Sequence, residues 1–341
     1  QIAILLPRSG QYAGATNVMI EGIFNAQNRV PIAQRPEIKI YDSAAYDIVS
    51  LYQQAVAEGA QLIIGPMDKK SVDQLTASTT TVPILTLNYG NKVSLFNPGL
   101  FQFALLPEDE AHSAAEKIAS MEFTRVAVLA PDSHWGRRVA EAFKQQAFSL
   151  GVDVVAEGKF NPRNQDLSSV IQKTFKVNAK KANQHQVEVE VDAIFIAATP
   201  SQGRLLKPLL KFHFLGNVPV FSTSHIFSGA EDSSSDHDLN GIQFPEIPWL
   251  LKKGSLNAQN EKLPIFDDIE ETAQQHPRLY AFGYDAFNLG TKLASGSATN
   301  LQLEGLSGNL YLDQRNRVHR LMGWAKFERG LPVAQSLPGS F

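Results

Sequence analysis

Side chains able to do chemistry are plentiful in this chain of 341 residues, but their spacing matches no reaction signature. The eight histidines are His112, His134, His185, His213, His225, His237, His276 and His319. None sits in an HExxH pair, which would set two imidazoles on one helix face around zinc. There is no GxSxG elbow, and no serine stands three residues before a lysine, so two common serine-nucleophile arrangements are missing. Walker A and GxGxxG loops, the Gly-rich cradles for nucleotide phosphates, are missing too. Asp267, Asp268, Glu270 and Glu271 cluster, yet not at the spacing of a calcium loop, and they read as a solvated helix face. The chain has no cysteine. Thiol catalysis, disulfides and cysteine-ligated zinc or iron–sulfur sites are thereby excluded. We expect no catalytic residue, no metal and no cofactor, although a convergent site needs no local signature.

What remains is a set of polar and aromatic residues just after strand ends. Residues 2–6 are a continuous apolar run, the mark of a strand buried on both faces. Pro7 ends it, and a polar loop leads into a helix whose apolar side is Val18, Met19, Ile20, Ile23 and Phe24. In an open parallel sheet, the loop after the C-terminal end of a strand faces the ligand crevice. Strands at 38–41, 62–65 and 84–87 alternate with helices near 51–58 and 71–78. After Pro107 the series restarts, with a helix at 108–121, a strand at 125–130 and a helix at 135–150. Strands at 152–156, 193–197 and 218–221 follow. This alternation predicts an α/β fold of two doubly wound parallel-sheet lobes.

The crevice candidates follow from that reading. In the first lobe they are Arg8, Ser9, Gln11, Tyr12, Met67, Asp68, Asn88 and Tyr89. In the second they are Asp132, Ser133, His134, Trp135, Thr199, Ser201, Ser224 and His225. A helix N-terminus behind each loop would offer free N–H groups to an anion. The ordinary alternative for each is an exposed loop polar group. Tyr284 and Asp285 could form a ligand pair, but Asp285 reads better as capping or orienting its helix. Trp249 could line the crevice mouth or pack at a hinge.

The length suits two lobes rather than one core, and 43% hydrophobic residues can fill both. A formal charge of −3 and a pI near 6.3 argue against nucleic acid or an anionic membrane surface as the partner. No apolar run approaches the roughly 18 residues of a membrane span. There is no signal peptide, and Gln1 stands almost on the first strand, so a processed or trimmed chain is expected. Two polar stretches read as surface insertions, 176–190 and the acidic, Ser-rich 229–240, and 251–271 is a further polar stretch expected to hold some helix.

The order of these pieces resembles the type I periplasmic-binding-protein superfamily, the leucine-binding-protein-like group. The segments carrying the likeness are ILLPRSGQYA, GAQLIIGPMDKKSVDQL, VPILTLN, FQFALLPEDEAHSAAEKIA, RVAVLAPDSHWGRRVAEAF and YAFGYDAFNL. The resemblance implies three crossings between lobes, at 105–108, 244–249 and 306–308. Lobe one is then 1–105 plus 246–306, and lobe two is 107–243 plus 308–341. Amino-acid-binding members usually have small hydroxyl residues after strand four, where this chain has Asn88-Tyr89-Gly90-Asn91. An amino-acid ligand is therefore not expected.

Within the superfamily, LSGNLYLDQRNRVHRLMGWAKFERGLP and IQFPEIPWLL resemble the C-terminal domain of the outer-membrane lipoproteins that activate class A penicillin-binding proteins. That resemblance implies a protein-interaction module on the periplasmic side of the outer membrane. Its partner would be a peptidoglycan synthase of that class. A helical domain and a lipidated cysteine would lie upstream. A cell-wall fragment stays open as an occupant of the crevice. The competing reading is a solute receptor of an ABC transporter or sensor, which needs convergent polar groups from both lobes.

Overall fold

The structure is a computed structural model, and it describes residues 1–91, 97–163, 166–178, 186–252, 263–296 and 301–335. The first stretch alternates β1 (Ile2–Leu6), α1 (Ala13–Asn28), β2 (Ile38–Asp42), α2 (Ile48–Ala57), β3 (Leu62–Ile64), α3 (Lys69–Thr76), β4 (Ile84–Thr86) and β5 (Leu100–Phe103). Every residue of β1 is buried, as expected of a strand covered by helices on both faces. The helices start where the sequence supplies caps. Asp47 and Asp68 accept the amides of Ser50 and Ser71 at 3.0 and 2.9 Å, satisfying donors that the first turn leaves free.

The middle of the chain repeats the pattern. It runs through α4 (Pro107–Ser120), β6 (Arg125–Pro131), α5 (His134–Ser149), β7 (Asp153–Phe160) and α6 (Leu167–Phe175). A two-stranded ribbon follows, β8 (Val177–Asn178) with β9 (Gln186–Val187), and then β10 (Ala193–Ile196), α7 (Pro200–Phe212), β11 (Val220–Ser222) and β12 (Ile242–Glu246). The last stretch holds α8 (Pro248–Lys252), α9 (Glu271–Gln275), α10 (Pro277–Ala294), β13 (Gln302–Glu304), β14 (Asn309–Leu312), β15 (Arg317–Leu321), β16 (Gly323–Glu328) and β17 (Leu331–Gln335).

Two compact units result: Gln1–Leu105 with Ile247–Met322, and Leu106–Glu246 with Gly323–Phe341. The first contains an eight-stranded sheet in the order β13-β14-β15-β5-β4-β3-β1-β2, and the second a seven-stranded sheet in the order β17-β16-β12-β11-β10-β6-β7. The five strands β2-β1-β3-β4-β5 are parallel, as are β7-β6-β10-β11-β12, so both units use the same doubly wound strand order. Beyond β12 the second sheet continues antiparallel through β16 and β17, and beyond β5 the first continues with a parallel β15 and then antiparallel β14 and β13.

The third boundary differs from the expectation at 306–308. Residues 309–321, expected in the second lobe, belong to the first sheet. Val318 of β15 pairs in parallel with Phe103 of β5, and β14 pairs with β15. The chain joins the second sheet only at β16, where Phe244 faces Ala325 across an antiparallel ladder. The acidic segment 229–240 also departs from a solvated loop. Asp236 is 1% exposed and accepts two hydrogen bonds from Arg204 of α7, at 3.0 and 2.6 Å, while Leu239 is fully buried. An ion pair and an apolar anchor therefore hold this segment down. Parts of 176–190 and 251–271 lie outside the described residues.

The core of the first unit is closed by α1 against α10. A Cβ on Gly22 would stand 2.2 Å from the Tyr280 carbonyl oxygen, and one on Gly283 would stand 1.9 Å from that of Met19. The two helix backbones approach so closely that only hydrogen fits between them.

Candidate functional site

In the first unit, Arg8, Ser9, Gln11, Tyr12 and Asp68 are exposed at the ends of β1 and β3. Two of them are tied down by a residue that sequence reasoning overlooked. Asp42, at the end of β2, accepts the Arg8 amide at 2.8 Å and the Ser9 hydroxyl at 3.1 Å. The Arg8 amide and further hydrogen bonds hold the Asp42 carboxyl below its usual range. The strand-end rule that flagged Arg8 could have flagged Asp42 as well. Asp68 is the α3 cap already described.

The loop after β4 turns its polar groups inward. Asn88 Nδ2 donates to the Met67 carbonyl at 2.9 Å, and Asn88 Oδ1 accepts the Tyr89 amide at 2.9 Å. Tyr89 is 7% exposed, and its hydroxyl donates to the Val318 carbonyl of β15 at 2.8 Å. The Arg317 guanidinium lies 5.0 Å from the centre of the same ring, within cation–π range. As a ligand group Tyr89 is therefore corrected: burial and this hydrogen bond make it a clamp between β4 and β15.

The other aromatic and acidic candidates of this unit are also internal. Trp249 is 1% exposed, donates from Nε1 to the Pro264 carbonyl at 2.7 Å and stacks on Tyr280 with centroids 5.3 Å apart. It belongs to the core and does not line a crevice mouth. Tyr284 packs in the same core. Asp285 lies in the middle of α10 and is fully buried. It accepts the amides of Leu306 and Ser307 at 2.8 and 2.7 Å and the Ser307 hydroxyl at 2.5 Å. The carboxylate thus pins a loop 21 to 22 residues downstream instead of capping its own helix or meeting a ligand. Loss of water raises its pKa to about 6, overcoming the opposing hydrogen bonds.

In the second unit, Ser133 caps α5 by accepting the Gly136 amide at 3.0 Å. Asp132 pairs with Arg137 at 2.7 Å, and His134 is exposed. Thr199 starts α7: its amide donates to Gln202 Oε1 at 3.0 Å, and its hydroxyl lies 3.1 Å from that of Ser201. These are capping roles. A tighter group forms around Glu110, another residue missed in the sequence, whose only signal was its place in the acidic first turn of α4. Glu110 accepts the Ser224 amide at 2.7 Å and the Ser224 hydroxyl at 2.9 Å. His225 Nδ1 stands 4.0 Å from the same carboxylate, and its ring lies 5.1 Å from that of Trp135. Nucleophilic relay chemistry needs the serine hydroxyl to donate to an imidazole base. Here it donates to a buried acid together with its own amide, which makes a structural clasp. Among the described residues, Trp135 Nε1 and Thr223 Oγ1 are buried without a hydrogen-bond partner.

Among the described residues no group of three or more His, Asp or Glu could hold a metal ion. No helix there is long and apolar enough to cross a membrane.

Two parallel doubly wound units of common strand order, joined by three chain crossings, define the type I periplasmic-binding-protein fold. The family described as "LppC putative lipoprotein" matches residues 1–330, and the chain belongs to that family. Penicillin-binding protein activator LpoA of Serratia proteamaculans is 28% identical over 331 residues, covering 90% of this chain and 48% of the relative. The chain therefore spans about half the length of the curated relatives it matches. The C-domain of Haemophilus influenzae LpoA, described as a regulator of PBP1A, superposes with a TM-score of 0.78 at 24% identity, covering 98% of this chain and 100% of that one. A Chromobacterium violaceum protein described as a "putative branched-chain amino acid ABC transporter" superposes with a TM-score of 0.76 at 26% identity, covering 96% and 99%.

Proposed function

We propose that this chain is the synthase-binding domain of an envelope lipoprotein. It docks onto a class A penicillin-binding protein and raises its activity, on the periplasmic side of the outer membrane. The lipid anchor would lie on an upstream segment. On this reading the chain is a regulator and not itself an enzyme. One observation carries the reading beyond kinship. Three of the groups that a solute receptor could aim at its ligand are engaged inside the first unit: Asn88 with Met67, Tyr89 with Val318, and Asp285 with Leu306 and Ser307. A fold with its recognition groups turned inward serves as a scaffold whose outer surface does the work. A ligand site instead needs convergent, unspent polar groups.

The test is calorimetry with two kinds of titrant. The periplasmic portion of a class A synthase should bind, and the common amino acids should give no heat. An amino acid binding near 1 µM, about −8 kcal/mol, with no response to the synthase would establish the receptor function that the Chromobacterium protein's description suggests.

A further inference from the structure

We propose that the outward face of α7 is a docking surface for a segment of the synthase that carries apolar side chains beside a row of carboxylates. This inference rests on the activator reading above and names its surface. A surface helix usually shows one apolar stripe, toward the core. α7 shows two. Gly203, Leu206 and Leu210 are buried. On the opposite side Leu205 is 43% exposed, Pro208 is exposed and Phe212 is 71% exposed. These three stand at i, i+3 and i+7, which places them in one row along the helix. A helix of 13 residues is roughly 20 Å long, so the row can anchor part of an interface but cannot supply a whole one.

Charge identifies the occupant. Lys211 is exposed and borders the apolar row, while Lys207, one turn earlier, sits further round toward the buried side, its Nζ 3.8 Å from where a Cβ on Gly241 would stand. Lys326 of β16 adds a third ammonium close enough to act on Lys207. Burial, and then the like charges of Lys211 and Lys326, push the Lys207 pKa below its ordinary value. None of the three lysines has a carboxylate partner among the described residues. Arg204, the next cation along that row, is already paired with Asp236. A partner that brings carboxylates to Lys211 while covering Leu205, Pro208 and Phe212 offsets the like charge of Lys207 and Lys326 behind it and buries the stripe at the same time. An anionic bilayer suits the site less well. The chain as a whole carries a formal charge of −3, which disfavours its approach to such a surface.

The experiment compares four forms of the chain for binding to the periplasmic portion of a class A synthase: unaltered, Leu205→Ser with Phe212→Ser, Lys211→Glu, and Phe148→Ser. Phe148 is 84% exposed on α5 and serves as a control of equal greasiness. The double variant and Lys211→Glu should each bind at least tenfold more weakly. Phe148→Ser should bind as the unaltered chain does. Raising the salt concentration should weaken the unaltered chain more than Lys211→Glu. Thermal melting of each form shows that the fold is kept, and crosslinking from a photoreactive side chain at position 205 gives a readout that needs no loss of binding. If the unaltered chain binds and all variants bind alike, or if position 205 crosslinks nothing, the surface is refuted while the activator reading stands. If the unaltered chain fails to bind the synthase, both fall. Binding of the unaltered chain, but not the double variant, to anionic vesicles in place of the synthase would reassign the stripe to a membrane and overturn the proposal.

Discussion

Asp285 makes the stability of the first unit depend on pH. Its carboxyl is fully buried in α10 and holds the amides of Leu306 and Ser307. Dehydration favours the neutral acid, whereas those hydrogen bonds and the Arg320 charge favour the anion. The balance leaves the pKa at about 6, up from 3.8. A displacement of about two units corresponds to about 3 kcal/mol, at 1.36 kcal/mol per unit. Because the folded-state pKa is the higher one, the folded chain keeps a proton that the unfolded chain has released. The contribution is fully present below about pH 4 and is lost as the pH rises through about 6. Asp285→Asn keeps the volume and removes the titration. Urea unfolding of the first unit can be followed through Trp249 once Trp135 and Trp324, both in the second unit, are changed to Phe. Trp249 donates its own amide to the Leu306 carbonyl, so it reports on the loop that Asp285 pins. Between pH 4 and pH 7 the parent should lose roughly 2.4 kcal/mol relative to Asp285→Asn, the remainder of the full value lying below pH 4. Parallel stability profiles across that range would refute the reasoning.

Two further predictions concern packing and charge. Gly283→Ala drives a methyl to within 1.9 Å of the Met19 carbonyl oxygen, and it should cost about 3 kcal/mol or prevent folding, at the upper end for overpacking. Gly14→Ala, in α1 with nothing within 4 Å, should stabilise by about 0.5 kcal/mol; thermal melting of the two variants should therefore shift in opposite directions. Arg204→Met leaves the Asp236 carboxyl, 1% exposed, without its guanidinium; denaturant unfolding of the second unit should show a loss of about 3 kcal/mol.

The parts of the fold that the sequence made legible are those where a local pattern reports a global fact. The run Ile2-Ala3-Ile4-Leu5-Leu6 could only be a strand covered on both faces, and the helix with Val18, Met19, Ile20 and Ile23 showed its buried side by periodicity. Strand-end loops then followed from the alternation. The assignment of residues 309–321 failed because an edge strand carries no local mark of the sheet it joins. That is decided by the distant pairing of Val318 with Phe103. The same limit applied to the site. Tyr89 and Trp249 are amphipathic residues just after strand ends and Asp285 is a lone acid in an apolar helix, and in sequence all three look like ligand groups. Their partners, Ser307, Val318 and Pro264, are set by tertiary structure, and only those partners show that the side chains are spent internally. Glu110 was missed for the converse reason. An acid in a helix first turn reads as a favourable dipole contact, and nothing nearby announces the clasp on Ser224.

The central claim is that this chain raises the activity of a class A penicillin-binding protein by direct contact. An activator acts by binding the active conformation of its target more tightly than the resting one, and a tenfold rise through such a shift needs about 1.4 kcal/mol of differential affinity. The most direct measurement is the rate of glycan-strand polymerisation and peptide crosslinking by the purified synthase as this chain is titrated in. A saturable rise in rate, with its midpoint at the independently measured dissociation constant, is the predicted result. An unchanged rate at concentrations where the two proteins are fully bound would contradict it.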